Sequence, residues 1–201
     1  MYVAVDMKTR QYDMSGRERA KTATRESIVR ATIDCFMAER SFAVTLPAIA
    51  DRAGVTVKTV LRHFGSRDAL TDVACKQVYD EVMAERETAL NDPAAAIRVL
   101  LDHYERRGLM VLAMLAEETE PRALQLTTAG KLIHREWVEE VFAAQLPATG
   151  DARRRLIDVL VVATDVYAWK LLRLDRGLSV DEVHDRITLM TTALLAQGAT
   201  P

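Results

Sequence analysis

Apolar residues recur at three- and four-residue intervals along nearly the whole chain, and no window alternates with the period of two that a half-buried strand requires. The pattern predicts an all-α protein of about nine helices. Val29, Ile33, Phe36 and Met37 form the stripe of a first helix running from a Thr24 cap to Arg40, with Ser41 where a left-handed glycine would sit more easily. Leu46, Ile49, Ala50 and Ala53 place one stripe on a short second helix. Gly54 stops it, because a glycine accepts positive φ without a Cβ clash. Thr56 caps a third helix whose Val60 and Phe64 face inward, and Ser66 caps a longer fourth from Ala69 to about Leu90. Three helices thus make a head, and the fourth connects it to the rest of the chain.

Downstream, Asp92 and Pro93 cap and open a helix with Ile97, Leu100, Leu101 and Tyr104 on its stripe. Gly108 interrupts that helix, and the unbroken apolar run 109–116 predicts burial on all sides. Leu126, Ile133, Trp137, Val141 and Phe142 mark the next helix. From Asp151 to about Arg176 the chain carries two apolar faces, Leu156, Leu160, Ala163, Tyr167 and Leu171 on one and Val159, Val162, Val166 and Trp169 on the other. One face suffices for a monomer, so the second implies a partner surface, most simply a homodimer. Ser179 to Glu182 is a capping box opening a last helix with Val183, Ile187, Met190 and Leu194 in register. Two such helices from each of two chains would make a four-helix interface.

The 201 residues are 49% apolar and 28% charged, an ordinary globular composition, and no apolar run is long enough to span a bilayer. The start of the chain has no basic-then-apolar leader, which predicts a cytoplasmic protein that does not engage a membrane. Cys35 and Cys75 are far apart within helical patterns and are expected to be reduced thiols. The near-neutral net charge of −2 hides an asymmetry. Residues 1–67 hold 12 Lys and Arg against 7 Asp and Glu, whereas 68–201 hold 15 against 22. A basic head on an acidic body suits a protein that presents only its head to a polyanion. Residues 1–21, with Lys8, Arg10, Arg17, Arg19 and Lys21 and no apolar period, read as a flexible basic arm; 22–67 form the head and 68–201 the body.

The chemistry lies in the run from Thr45 to Phe64. Small Ala50 four residues before Gly54, and Val60 six after it, match two short helices crossing closely at a turn. Lys58, Thr59, Arg62 and His63 then point outward, offering cations, a hydroxyl and an imidazole to phosphates and to guanine acceptor edges. The competing reading is a solvated face on an ordinary helical hairpin; the turn spacing favours DNA binding.

Residues 24–28, 49–55 (Ile-Ala-Asp-Arg-Ala-Gly-Val) and 63–70 (His-Phe-Gly-Ser-Arg-Asp-Ala-Leu) together resemble the tetracycline-repressor (TetR) family of bacterial transcription regulators. The resemblance implies a homodimer that places two reading helices in successive major grooves of a palindromic operator, with a small-molecule cavity in each body. Most members are repressors released by their effector. It also implies DNA contacts from Thr45, Thr56, Val57, Lys58, Thr59, Leu61, Arg62, His63 and Arg67, the last where the family usually has a lysine on phosphate. Leu61 departs from the pattern, since the family commonly has a tyrosine there. Leucine loses the hydrogen bond to the DNA backbone and is left to touch a thymine methyl or pack inward.

Candidates for the cavity wall, by position, are Tyr104, Met110, Met114, Trp137, Val141, Asp165, Tyr167 and Trp169, each apolar one competing with a plain core role. Asp165, a carboxylate amid apolar neighbours, must meet a buried cation, face a wet cavity or bind a polar ligand. An aromatic, Met-containing wall favours an apolar or flat aromatic compound. Two other classes compete, an all-helical enzyme and a metal or redox sensor. Neither finds its motif. None of His63, His103, His134 and His184 follows a glutamate by three residues, no phosphate loop or nucleophile elbow occurs, and the cysteines and histidines are scattered. No catalytic residue, metal or cofactor is expected.

Overall fold

The computed structural model describes residues 7–87, 92–117 and 119–198, and among them every regular element is helical. The chain divides into two compact units, 1–78 and 79–201.

In the first unit, α1 (Met7–Glu39) packs on α2 (Leu46–Arg52), and α2 on α3 (Val57–Phe64). The expected flexible arm is corrected here, since α1 begins at Met7 and only 1–6 lie outside the described residues. The stretch 7–24 has no proline and is mostly Lys, Arg, Gln, Glu, Ala and Met, which favour helix without any apolar stripe. Thr24 is therefore mid-helix rather than a cap, and its hydroxyl donates to Ala20 O at 2.8 Å. Ile28, Val29, Ala31, Thr32, Cys35 and Phe36 form the buried face, one step round from the expected stripe, with Ile33 and Met37 half-buried. Arg40, not Ser41, takes the left-handed turn after α1, at φ 52°. The unit runs on to Val78 because α4 (Arg67–Glu87) buries Leu70, Thr71 and Ala74 there. The expected end of α4 near Leu90 falls outside the described residues.

The second unit holds the end of α4, then α5 (Pro93–Ala116), α6 (Pro121–Val141), α7 (Gly150–Thr164), α8 (Val166–Trp169) running into a π-helical segment (Lys170–Asp175), and α9 (Val180–Gly198). Its core joins Ile97, Leu100, Leu101, Trp137, Val138, Phe142, Ile157, Leu160, Val183 and Ile187. Two expectations fail instructively. Gly108 does not break α5; a Cβ there would stand 2.6 Å from Trp169 Cζ3, so the glycine is what lets α5 and α8 approach. The run 109–116 is not wrapped on all sides, for Leu109 is exposed and 111–115 are only half-buried.

Candidate nucleic-acid interface and ligand cleft

The α2–α3 turn is a complete Schellman motif: Gly54 N donates to Asp51 O at 3.1 Å, Val55 N to Ala50 O at 2.9 Å, and Gly54 has φ 67°. Both helices then start on threonines. Thr45 Oγ1 accepts from Ala48 N at 3.4 Å, and Thr56 Oγ1 accepts from Thr59 N at 3.1 Å while lying 3.0 Å from Thr59 Oγ1. Both threonines are exposed. Val60 is fully buried and anchors α3, while Lys58, Leu61 and Arg62 are exposed and Val57, Thr59 and His63 half-buried. The sequence-predicted residues of α3 thus share one helix with its outer face open.

Arg25, which sequence reasoning missed, braces the end of α3. Its guanidinium lies 4.3 Å over the Phe64 ring and donates to His63 O at 3.2 Å. Nothing in its local sequence signals this, because the partner is 38 residues away. Partial burial, then the positive charges of Arg62, Arg25 and Lys21, hold the His63 imidazole below its ordinary value of 6.5. Arg67, expected at a phosphate, directs one guanidinium nitrogen to Phe42 O at 2.9 Å and Val44 O at 3.2 Å, and the other to Asp68 at 3.6 Å. It ties the loop before α2 to the start of α4.

In the second unit a cleft of about 1040 Å³ opens between α5, α6, α7, α8 and α9, with a mostly apolar wall. Of the expected wall residues, Tyr104, Met114, Asp165 and Tyr167 border it; Met110, Trp137, Val141 and Trp169 lie in the core. Tyr104 is nearly buried and Tyr167 about half exposed. His103, His134, Thr127 and Lys131 also border the cleft and were not foreseen, since lone polar residues on helices carry no spacing signal.

Asp165 is not the mid-helix carboxylate that its apolar neighbours implied. Its backbone is extended (φ −70°, ψ 157°), it ends α7, and its Oδ1 caps α8 by accepting from Tyr167 N at 2.9 Å. The break turns the helix about its axis, so the two expected faces exchange members. Leu156, Leu160, Ala163, Val166 and Trp169 are buried, whereas Val159, Val162, Tyr167 and Leu171 are exposed. Tyr104 Oη donates to Thr164 O at 3.1 Å at the break. Thr164 Oγ1 donates to Leu160 O at 2.8 Å and so accepts from His134 Nε2 at 3.1 Å, which fixes the proton on that nitrogen. Trp169 Nε1 donates to Glu105 at 2.7 Å, and Arg173 Nε reaches the same carboxylate at 3.1 Å.

Cys35 is buried, which pushes its thiol up, and Cys75 is half-buried. Among the described residues no group of three or more His, Cys, Asp or Glu is placed to hold a metal ion, and no helix is long and apolar enough to cross a membrane.

Residues 28–74 match the family model described as bacterial regulatory proteins, tetR family. No curated protein matches the chain. Solved structures share its fold, two of them over most of the chain. One is a transcriptional regulator from Rhodococcus sp. Rha1, 16% identical with a TM-score of 0.65, covering 88% of this chain and 99% of its own. The other, described as a TetR-family transcriptional regulator from Rhodococcus sp., is 15% identical with a TM-score of 0.62 over 86% of this chain and 99% of its own.

Proposed function

We propose, from its place in the tetR family of bacterial regulatory proteins, that this transcriptional regulator is a homodimeric repressor released from a palindromic operator by a small apolar effector. The observation that carries the DNA-binding part is the outer face of α3. It presents Lys58, Arg62 and the Thr56–Thr59 hydroxyl pair to solvent, on a helix fixed by the Schellman turn behind and by Arg25 in front. Cations and hydroxyls so placed suit phosphate positioning and guanine readout. Thr45, at the exposed start of α2, adds a hydroxyl for phosphate. Half-sites would then lie about one helical turn apart, roughly 34 to 36 Å, so that both reading helices meet the same face of the duplex.

Two features of the second unit support the finer reading. Val159, Val162, Tyr167 and Leu171, which also border the open side of the cleft, together with Leu189 leave α7, α8, the π-helical segment and α9 with a broad exposed apolar face, and residues 188–198 carry no charge. A second copy of the same face would meet its α9 part without charge conflict. The cleft has the size and apolar wall of a small-molecule site, with Tyr104, His134 and Asp165 as its polar markers. The end of α4 is held to α5 by Arg107 to Glu81 at 2.8 Å and Arg106 to Glu85 at 2.6 Å, so α4 is the covalent route from cleft to reader.

The experiment is selection of duplexes from a random pool by the purified protein, followed by titration of the winners. Enrichment of a palindrome with steep salt dependence supports the reading. A protein that enriches no sequence overturns it.

A further inference from the structure

Leu61 is the one large apolar side chain exposed among the described side chains of the first unit, 39% accessible, in the middle of α3. Every other leucine, isoleucine, valine, phenylalanine and methionine described there is buried or half-buried. Val57 stands one turn before it, half-exposed, so the two are i, i+4 neighbours on one helix face. Lys58 and Arg62, each one residue further on, form a parallel exposed row along one side of that pair. An apolar pair beside two cations, on a face open to a polyanion, is thus left partly uncovered by the described residues. In the major groove the available apolar group is the C5-methyl of thymine, while adenine, guanine and cytosine present only donors and acceptors.

Resting on the reading of α3 as the DNA-reading helix, we infer that Leu61, with Val57 behind it, determines sequence specificity by packing against thymine C5-methyl groups. The base next to the one contacted by Arg62 is therefore a thymine read through its methyl rather than its hydrogen-bonding edge. Removing that methyl costs about fourfold in affinity per half-site, the worth of one buried methylene-sized group. Leu61 touches no base through a polar atom, so its contribution is insensitive to salt, in contrast to that of Lys58.

The test uses duplexes selected from a random pool, resynthesised with deoxyuridine replacing thymidine one position at a time, which deletes only the methyl. Titration of the wild-type protein should find one position per half-site where the change weakens binding by about fourfold, or about sixteenfold when made in both. The L61A variant, shown by its thermal melt to be folded at the assay temperature, should bind thymidine and deoxyuridine duplexes alike while keeping the wild-type salt slope. Wild-type protein indifferent to every deoxyuridine overturns the inference, as does L61A retaining the full discrimination; in either case specific binding itself survives. Failure of both proteins to bind any selected duplex instead removes the DNA-reading assignment of α3.

Discussion

The hydroxyl of Tyr104 donates to the carbonyl oxygen of Thr164 at 3.1 Å, across 60 residues of sequence and at the point where α7 stops. Extended backbone at Asp165 takes that carbonyl out of the helical ladder, and a buried acceptor left unpaired costs about 1 to 3 kcal/mol. Tyr104 supplies the missing donor. Tyr104→Phe keeps the ring and deletes only the hydroxyl, so it should lower stability toward urea by about 1 to 2 kcal/mol. Equal urea midpoints for the two proteins would show that the break does not depend on this bond.

Gly108 is set by its neighbour rather than by its own helix. Alanine would normally strengthen a helix interior by about 1 kcal/mol. Here its Cβ would meet Trp169 Cζ3 at 2.6 Å and Cη2 at 2.8 Å, on a buried ring held by Glu105. Overpacking of this kind costs about 1 to 3 kcal/mol, so Gly108→Ala should be net destabilising. Gly130→Ala in α6, with nothing within 4 Å of its Cβ, should instead stabilise by up to about 1 kcal/mol. Urea denaturation of the pair gives opposite signs if close approach of α5 and α8 is the reason for Gly108, and the same sign if it is not.

Arg62 and Arg67 look alike in the sequence and separate in the structure. Arg67 holds the carbonyls of Phe42 and Val44, whereas Arg62 is exposed on α3. Arg67→Ala should therefore lower the melting temperature as well as weaken binding to all duplexes alike. Arg62→Ala should leave the melt unchanged and relax base preference, at about 1 to 3 kcal/mol for the correct base. Melting curves and a panel of operator variants distinguish them. Unchanged melting of Arg67→Ala would return that residue to a purely phosphate role.

His63 gives the reader a pH dependence whose sign follows from its surroundings. Burial and neighbouring cations depress the imidazole below 6.5, so the unfolded chain binds protons more readily, and its contribution to stability declines as pH falls through the folded value. Phosphate beside the same ring acts oppositely, favouring the imidazolium and linking binding to proton uptake. Operator affinity should rise as pH falls from about 7.5 to 5.5 at fixed ionic strength, and His63→Gln should flatten the rise. A wild-type affinity that is constant or falls over this range would take His63 away from the phosphates.

The head was legible because its information is local. Gly54, the Thr56 cap and the buried Val60 all act within one or two turns of themselves, and each stands where the sequence predicted. The body was legible in its helices and less so in their faces. A continuous helix through 151–176 would have kept Tyr167 and Leu171 on the side of Leu160, but a single carboxylate caps a new start at Asp165 and turns them outward. Composition shows no signal there, because the same residue serves equally well as a cap, an ion-pair partner or a cavity group. Gly108 misled for the same reason: whether a helical glycine breaks or admits depends on a tryptophan 61 positions away.

That rotated face yields the last prediction. Val162 is 69% exposed, Leu171 58% and Leu189 64%, a density of open apolar side chains that a lone protomer would carry at a cost in solubility. If a second copy covers them, a charge placed at Val162 must be buried without a partner, a penalty of several kcal/mol that falls on association and not on folding. Val162→Glu should therefore fold with an unchanged melt at low concentration yet sediment as a monomer. Its operator affinity should fall toward that of a single half-site, with the salt slope roughly halved because half the phosphate contacts are lost. Leu132→Glu, an equally exposed leucine on α6 outside that face, serves as the control and should remain associated. Sedimentation of the wild type as a monomer at micromolar concentration, or of both variants as dimers, would mean that the face is not where two copies meet.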